Sequence, residues 1–122
     1  MANTKSVSIQ MQKILDEYDD KVNRVLEDTA DRVSREAVDK LQNTSPKRTG
    51  EYASGWTVKK LSRSNIIVHN ATHYQLTHLL ENGHVIANAR GTYGRVNGTK
   101  HIAPVEEWAA EELPAEIIRG LE

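Results

Sequence analysis

Cysteine and phenylalanine are both absent from this chain. The first absence removes disulfides and thiolate sites and fits a reducing, cytoplasmic origin. The second means that a core must be built from Val, Ile, Leu and Ala with two Trp and four Tyr. No apolar run approaches the ~20 residues of a membrane-spanning helix, so no membrane partner is expected. The opening Met1-Ala2-Asn3-Thr4-Lys5 lacks the apolar stretch of a signal peptide. Neither proline nor glycine occurs before Ser45, so nothing breaks a helix in the first third of the chain. Catalytic signatures are missing too. There is no Gly-x-Ser-x-Gly elbow, no Gly-x-x-x-x-Gly-Lys phosphate loop and no His-Glu-x-x-His. No cofactor is expected.

With 122 residues the chain suits one domain with a modest core. Its net charge of −1 hides an uneven distribution. Residues 8–43 carry nine acidic and six basic side chains. Residues 44–101 carry two acidic and eight basic, and residues 102–122 carry six acidic and one basic. A basic middle between acidic ends suits charge pairing between subunits, or contact with a polyanion. The middle lacks the interleaved aromatics of a base-stacking platform.

From Ser8 to Gln42 the pattern is helical. Met11, Ile14, Leu15, Tyr18, Val22, Val25, Leu26, Ala30, Val33, Ala37, Val38 and Leu41 step by three and four. About 35 residues at 1.5 Å each give a rod of roughly 50 Å. A domain of this size cannot cover such a rod with its own core. Part of the stripe is therefore expected to meet another chain, or to have a second helix laid along it, with the face around Met11, Leu15, Tyr18 and Val22 turned to the oligomer. The apolar set drifts round the helix instead of holding strict a/d heptads, which argues against a coiled coil.

Asn43-Thr44-Ser45-Pro46 ends the helix, because short polar side chains compete for backbone groups and Pro46 restricts Ser45. Thr49 is the expected N-cap of a short turn, with Gly50 permitting unusual geometry beside it. Residues 1–43 thus read as a helix and 44–122 as an α+β body. Trp56 to Leu61 alternates, Ser62-Arg63-Ser64-Asn65 turns, and Ile66-Ile67-Val68-His69 returns as a well-buried strand. Asn70-Ala71-Thr72 can cap a middle helix holding Leu76, Leu79 and Leu80. Gly83 should close it with a positive φ in the left-handed helical region. Residues 88–100 then hold Arg90, Gly91, Gly94, Arg95, Gly98 and Lys100, a basic, glycine-rich mobile loop or an extended hairpin. Pro104 fits the first turn of a last helix striped by Val105, Trp108, Ala109 and Leu113, which Pro114 should kink or split. The expected architecture is a long N-terminal helix, a small mostly antiparallel sheet, a middle helix and a C-terminal helix.

Five histidines, His69, His73, His78, His84 and His101, fall on different elements. His73 and His78 are five apart, roughly 140° on a helix, so they do not share a face. Ordinary polar roles fit them better than a metal site. Glu81, in an otherwise apolar helix end, is a candidate buried acid, with pairing to a nearby His or Arg the simpler expectation.

Ser45-Pro46 with Thr49-Gly50, the Trp that follows, Val68-x-Asn70, Tyr74, Leu79-Leu80-Glu81-x-Gly83-His84 and His101-Ile102-x-Pro104 stand in a particular order. That order resembles the HK97 gp10-like family of tailed-phage proteins over about residues 44 to 110, and the long first helix suits it. Glu51-Tyr52-Ala53 departs slightly from the residues common after the Thr-Gly pair. The resemblance implies Pro46, Thr49, Gly50, Glu81, Gly83, His84 and Pro104 as its structural motif. It implies a neck or tail-completion protein of the virion, assembled in the host cytoplasm. It also implies an oligomeric ring joining head to tail, partnered by other neck and tail proteins, without enzymatic activity. Arg90, Arg95 and Lys100 would face a neighbouring subunit or, transiently, the genomic DNA. The rival readings are a nucleic-acid-binding module using those three cations and an enzyme with a metal site at a His and Glu81.

Overall fold

The computed structural model describes residues 4–47, 49–88 and 90–122, with side chains described for all of these but 4–8, 87–88 and 92–93. Arg48, in the junction after the first helix, and Ala89, in the glycine-rich stretch, lie outside the described residues.

Helix α1 runs unbroken over Thr4–Thr44. Its 41 residues span roughly 60 Å at 1.5 Å each. It ends where short polar side chains turn back on the backbone. Thr44 Oγ1 donates to Lys40 O at 2.7 Å, and Ser45 Oγ donates to Leu41 O.

A single turn, α2 (Glu51–Ser54), follows. Gly50, not Thr49, occupies its N-cap position, with φ 85° and ψ −10°. That left-handed conformation suits glycine, and Thr49 Oγ1 only approaches Glu51 N at 3.4 Å.

The antiparallel part is two separate hairpins. Strands β1 (Trp56–Lys60) and β2 (Ile66–Asn70) pair Trp56 with Asn70 and Val58 with Val68. This hairpin lies on α1, where Lys60 and Arg63 reach Glu27 at 3.3 and 3.2 Å. The return strand is less buried than its composition suggests. Ile67 is exposed and only Asn70 is fully buried, because a two-stranded sheet offers one face to the core and one to solvent. Val58 is likewise exposed although it follows buried Trp56 in the alternation.

Asn70 opens the next segment. Its Oδ1 accepts from Thr72 N at 3.2 Å and His73 N at 2.9 Å, so the chain turns before a 3-10 turn, Tyr74–Leu76, and helix α3 (Thr77–Asn82). Strands β3 (Gly83–Asn88) and β4 (Gly91–Asn97) form the second hairpin, with an irregularity between Ile86 and Ala87. Of the two alternatives for the basic stretch, the hairpin is the one present.

Helix α4 (Ile102–Leu121) closes the chain. Pro104 sits in its first turn, and Pro114 lies inside a helix that is not split. α4 returns antiparallel along α1. Lys40 lies 4.7 Å from the Trp108 ring, Arg32 pairs with Glu116 at 2.7 Å, and Gly120 meets Val25. The core gathers Ala37, Leu41, Tyr52, Trp56 and Val105, backed by Val38, Val68, Leu80, Ile102 and Trp108. Beside it the rings of Tyr52, Trp56 and His101 pack edge to face, with centroids 5.7 Å apart for Tyr52–Trp56 and 5.6 Å for Tyr52–His101.

Candidate functional site

The buried polar centre begins at Glu81. Helix α4 starts with amides that have no partner within the helix. Glu81 Oε1 accepts from His101 N at 2.7 Å and Ile102 N at 2.8 Å, and its Oε2 accepts from Ala103 N at 2.9 Å. The next residue, Pro104, has no N–H. One carboxylate and one proline therefore settle the whole helix start, and the negative charge faces the positive end of the helix dipole. Burial pushes the Glu81 carboxyl up, but the amides of Ile102, His101 and Ala103, aided by His101, together hold it below its ordinary value of 4.5.

His101 Nδ1 faces two acceptors, Thr99 O at 2.7 Å and Glu81 Oε1 at 3.0 Å, so it carries a hydrogen. In the neutral ring, Nε2 then accepts from the Tyr52 hydroxyl at 2.7 Å. The Tyr52 hydroxyl is pushed up to about 12, first by burial and then by the charge of Glu81. Asn70 Nδ2 donates to Tyr52 O at 2.7 Å, and Trp56 Nε1 donates to Ser45 Oγ at 2.7 Å. Glu, His and Tyr in a row have the composition of a proton relay. Here His101 is only 1 % exposed and both its nitrogens are committed, so the row ties α2, α3 and α4 together.

Gly83 shows why β3 leaves α3 at once. Its φ of 79° is positive as expected, but ψ is 178°, outside the left-handed helical region and in one that only glycine adopts readily. A Cβ there would lie 2.3 Å from Val96 O. Gly98 is as tight, with a Cβ position 2.4 Å from both Glu81 O and Gly83 N. The second hairpin is thereby clamped at its base, and Thr99 N adds a bond to Leu80 O at 2.8 Å.

The motif residues do not form one cluster. Glu81 and Pro104 meet at the start of α4. Pro46, Thr49 and Gly50 line an open depression of ≈ 260 Å³ with Tyr52, His73, Leu76 and Leu80. His84 stands exposed on β3. Among the three cations, Arg95 donates to Asn82 O at 2.7 Å and Lys100 to Asn82 Oδ1, both at the base of the hairpin, while Arg90 lies at its exposed tip. The buried hydrogen bonds that join Tyr52 to His101 and Trp56 to Ser45 were not legible in the sequence. The available signal was a His immediately before the Ile102-Ala103-Pro104 helix start, 20 residues after an acid in an apolar helix end. The histidines do not converge, and among the described residues no group of His, Asp and Glu can hold a metal.

On α1, every side chain from Ile9 to Lys21 is exposed, including Met11, Leu15 and Tyr18, and Val22 is half-buried. α4 ends opposite Val25, so the outer ~20 residues of α1 project beyond it, roughly 30 Å of helix. Ile9, Met11, Ile14, Leu15 and Tyr18, all more than half exposed, make that stretch a bare apolar stripe.

The family described as "Bacteriophage HK97-gp10, putative tail-component" matches residues 5–83, well over half of the chain. The chain belongs to this family. The match takes in all of α1 from Lys5, the junction, the first hairpin and α3, and it stops at Gly83. It thus begins earlier and ends earlier than the 44–110 span of the motif resemblance. No curated protein and no solved structure matches the chain significantly. Family membership makes it a structural component related to the phage tail, and so part of the virion. No described helix is long and apolar enough to cross a membrane.

Proposed function

We propose that this protein is the subunit of an oligomeric ring in the neck of a tailed phage, completing the tail and joining it to the head. The observation that carries this reading is the bare apolar stripe of α1. Met11, Leu15 and Tyr18 are each more than half exposed, while Val33, Ala37 and Leu41 further along the same helix are buried. A stripe of this kind costs solubility unless a neighbour covers it. Identical subunits that meet through different patches close into rings when the rotation permits. The acidic ends and basic middle supply the complementary charge, and such charges set register more than affinity. The other partners are neck and tail proteins stacked on the two faces of the ring. The three cations Arg90, Arg95 and Lys100 then contact a neighbouring subunit or passing DNA.

The test is assembly. Native mass spectrometry of the purified protein should give one defined oligomer. Phage carrying Leu15→Glu with Tyr18→Glu should accumulate unjoined heads and tails in electron micrographs. Normal yields of joined particles from that variant would overturn the reading. A nucleic-acid-binding module would instead bind DNA with a steep salt dependence as the isolated protein.

A further inference from the structure

We infer that the outer end of α1 is covered, in the assembled ring, by the β3–β4 hairpin of the next copy of this chain. This inference rests on the ring reading and names the surfaces that make its contact.

Among the described residues, two elements expose apolar side chains and carry complementary charge. The first is the outer stripe of α1, with Met11, Leu15 and Tyr18 beside an acidic run of Asp16, Glu17, Asp19 and Asp20. The second is the β3–β4 hairpin, which extends from the body. A lone two-stranded hairpin is marginal in water without something packed on its face. Its register sets His84 opposite Val96 and Ile86 opposite Gly94. Alternation therefore places His84, Ile86 and Val96 on one face. Ile86 and Val96 are 48 % and 43 % exposed. Gly94 adds no side chain to that face, which leaves a shallow apolar seat beside Ile86. The hairpin and its base carry Arg90, Arg95 and Lys100, and no acid occurs between Glu81 and Glu106.

Position makes the match intermolecular. The hairpin leaves the body at Gly83, beside the start of α4 that Glu81 holds. The outer part of α1 leaves it where Gly120 meets Val25, at the other end of α4. Twenty residues of α4 separate the two by roughly 30 Å. One chain cannot close this contact on itself. Two different patches at opposite ends of a subunit are the arrangement a head-to-tail ring needs. Pairing of α1 with α1 would leave Ile86 and Val96 of the hairpin exposed. The glycine clamp at Gly83 and Gly98 presents the hairpin in one direction.

The chain has no cysteine, so introduced thiols report without background. Tyr18→Cys and Ile86→Cys change exposed positions and should fold. The full-length protein carrying both, treated with a short bis-maleimide, should give a ladder of cross-linked species up to the ring. Each single variant should stay uncross-linked, and an equal mixture of the two should stop at dimers. An intact oligomer by native mass spectrometry with no ladder would overturn the hairpin contact. So would dimers from Tyr18→Cys alone, which mean α1 against α1. A wild-type protein that stays monomeric at every concentration would instead overturn the ring reading beneath it.

Discussion

From Val25 to Leu41 the apolar face of α1 is covered by α4, by Tyr52 and Trp56 and by the first hairpin. From Ile9 to Lys21 every side chain of the same helix, with the same three-and-four spacing, is exposed. The hairpins repeat the contrast. β1–β2 lies on α1 and is pinned through Lys60 and Arg63 to Glu27, whereas β3–β4 is clamped at its base by Gly83 and Gly98. In each pair the local sequence signal is similar and the surroundings differ. Amphipathic spacing states which face wants cover; it does not state which chain provides it.

The sharpest way to break the contrast within α1 is to delete side chains on both sides of Val25. Leu41→Ala should cost about 2–5 kcal/mol in denaturant unfolding, because it empties a position packed against Tyr52, Trp56 and Val105. Leu15→Ala should change monomer stability by less than about 0.5 kcal/mol. Equal losses from the two would mean that the outer stripe is covered within one chain.

Next in size is the clamp of the second hairpin. Gly83→Ala should cost about 2–3 kcal/mol, since it combines a glycine-only φ and ψ with a Cβ driven onto Val96 O. Gly50→Ala, with positive φ but nothing within 4 Å, should cost about 1 kcal/mol by thermal unfolding. A reversed order would show that the base of the hairpin relaxes freely.

Glu81 compares a buried charge with an exposed one. Glu81→Gln should cost about 1–3 kcal/mol at neutral pH, as the amides of His101, Ile102 and Ala103 lose their charged acceptor. The sign follows from the lowered carboxyl. The folded state holds Glu81 deprotonated more readily than the unfolded one does. Its stabilisation is complete above pH 4.5 and is lost as pH falls through the folded-state value. Wild type should therefore weaken on acidification below pH 4.5 more steeply than Glu81→Gln. Parallel pH profiles would remove Glu81 from this role. The smallest effect belongs to Glu27, whose carboxyl is also lowered, first by the Arg63 hydrogen bond and then by that of Lys60. Its side chain is 28 % exposed and its partners Lys60 and Arg63 lie further out in solvent, so Glu27→Gln should lower the melting temperature only slightly in physiological salt.

Much of the element plan was legible in residues alone. The absence of Pro and Gly before Ser45 allowed a long helix, and three-and-four spacing oriented it. Ser62–Asn65 between two β-rich runs marked the first hairpin, Gly83 marked a positive φ, and Pro104 marked a helix start. These signals are local, and so a sequence window contains them. The order of short motifs from Ser45 to Pro104 pointed to the phage family that the chain belongs to, although the family match itself ends at Gly83.

Tertiary structure decided what depends on residues far apart in the chain. Glu81 and His101 are 20 positions apart, Tyr52 and His101 49, and nothing in a local window joins them. The return strand looked buried by composition, yet Ile67 is exposed, because burial depends on which face meets α1. Thr49 had the chemistry of an N-cap, yet Gly50 took the position, because the chain arrives there with φ 85°. Pro114 suggested a kink or a split, and α4 is not split there. Periodicity is a property of neighbours three or four residues apart, and a sequence shows it directly. Cover, caps and clamps come from residues brought together only when the chain closes on itself, or on another copy.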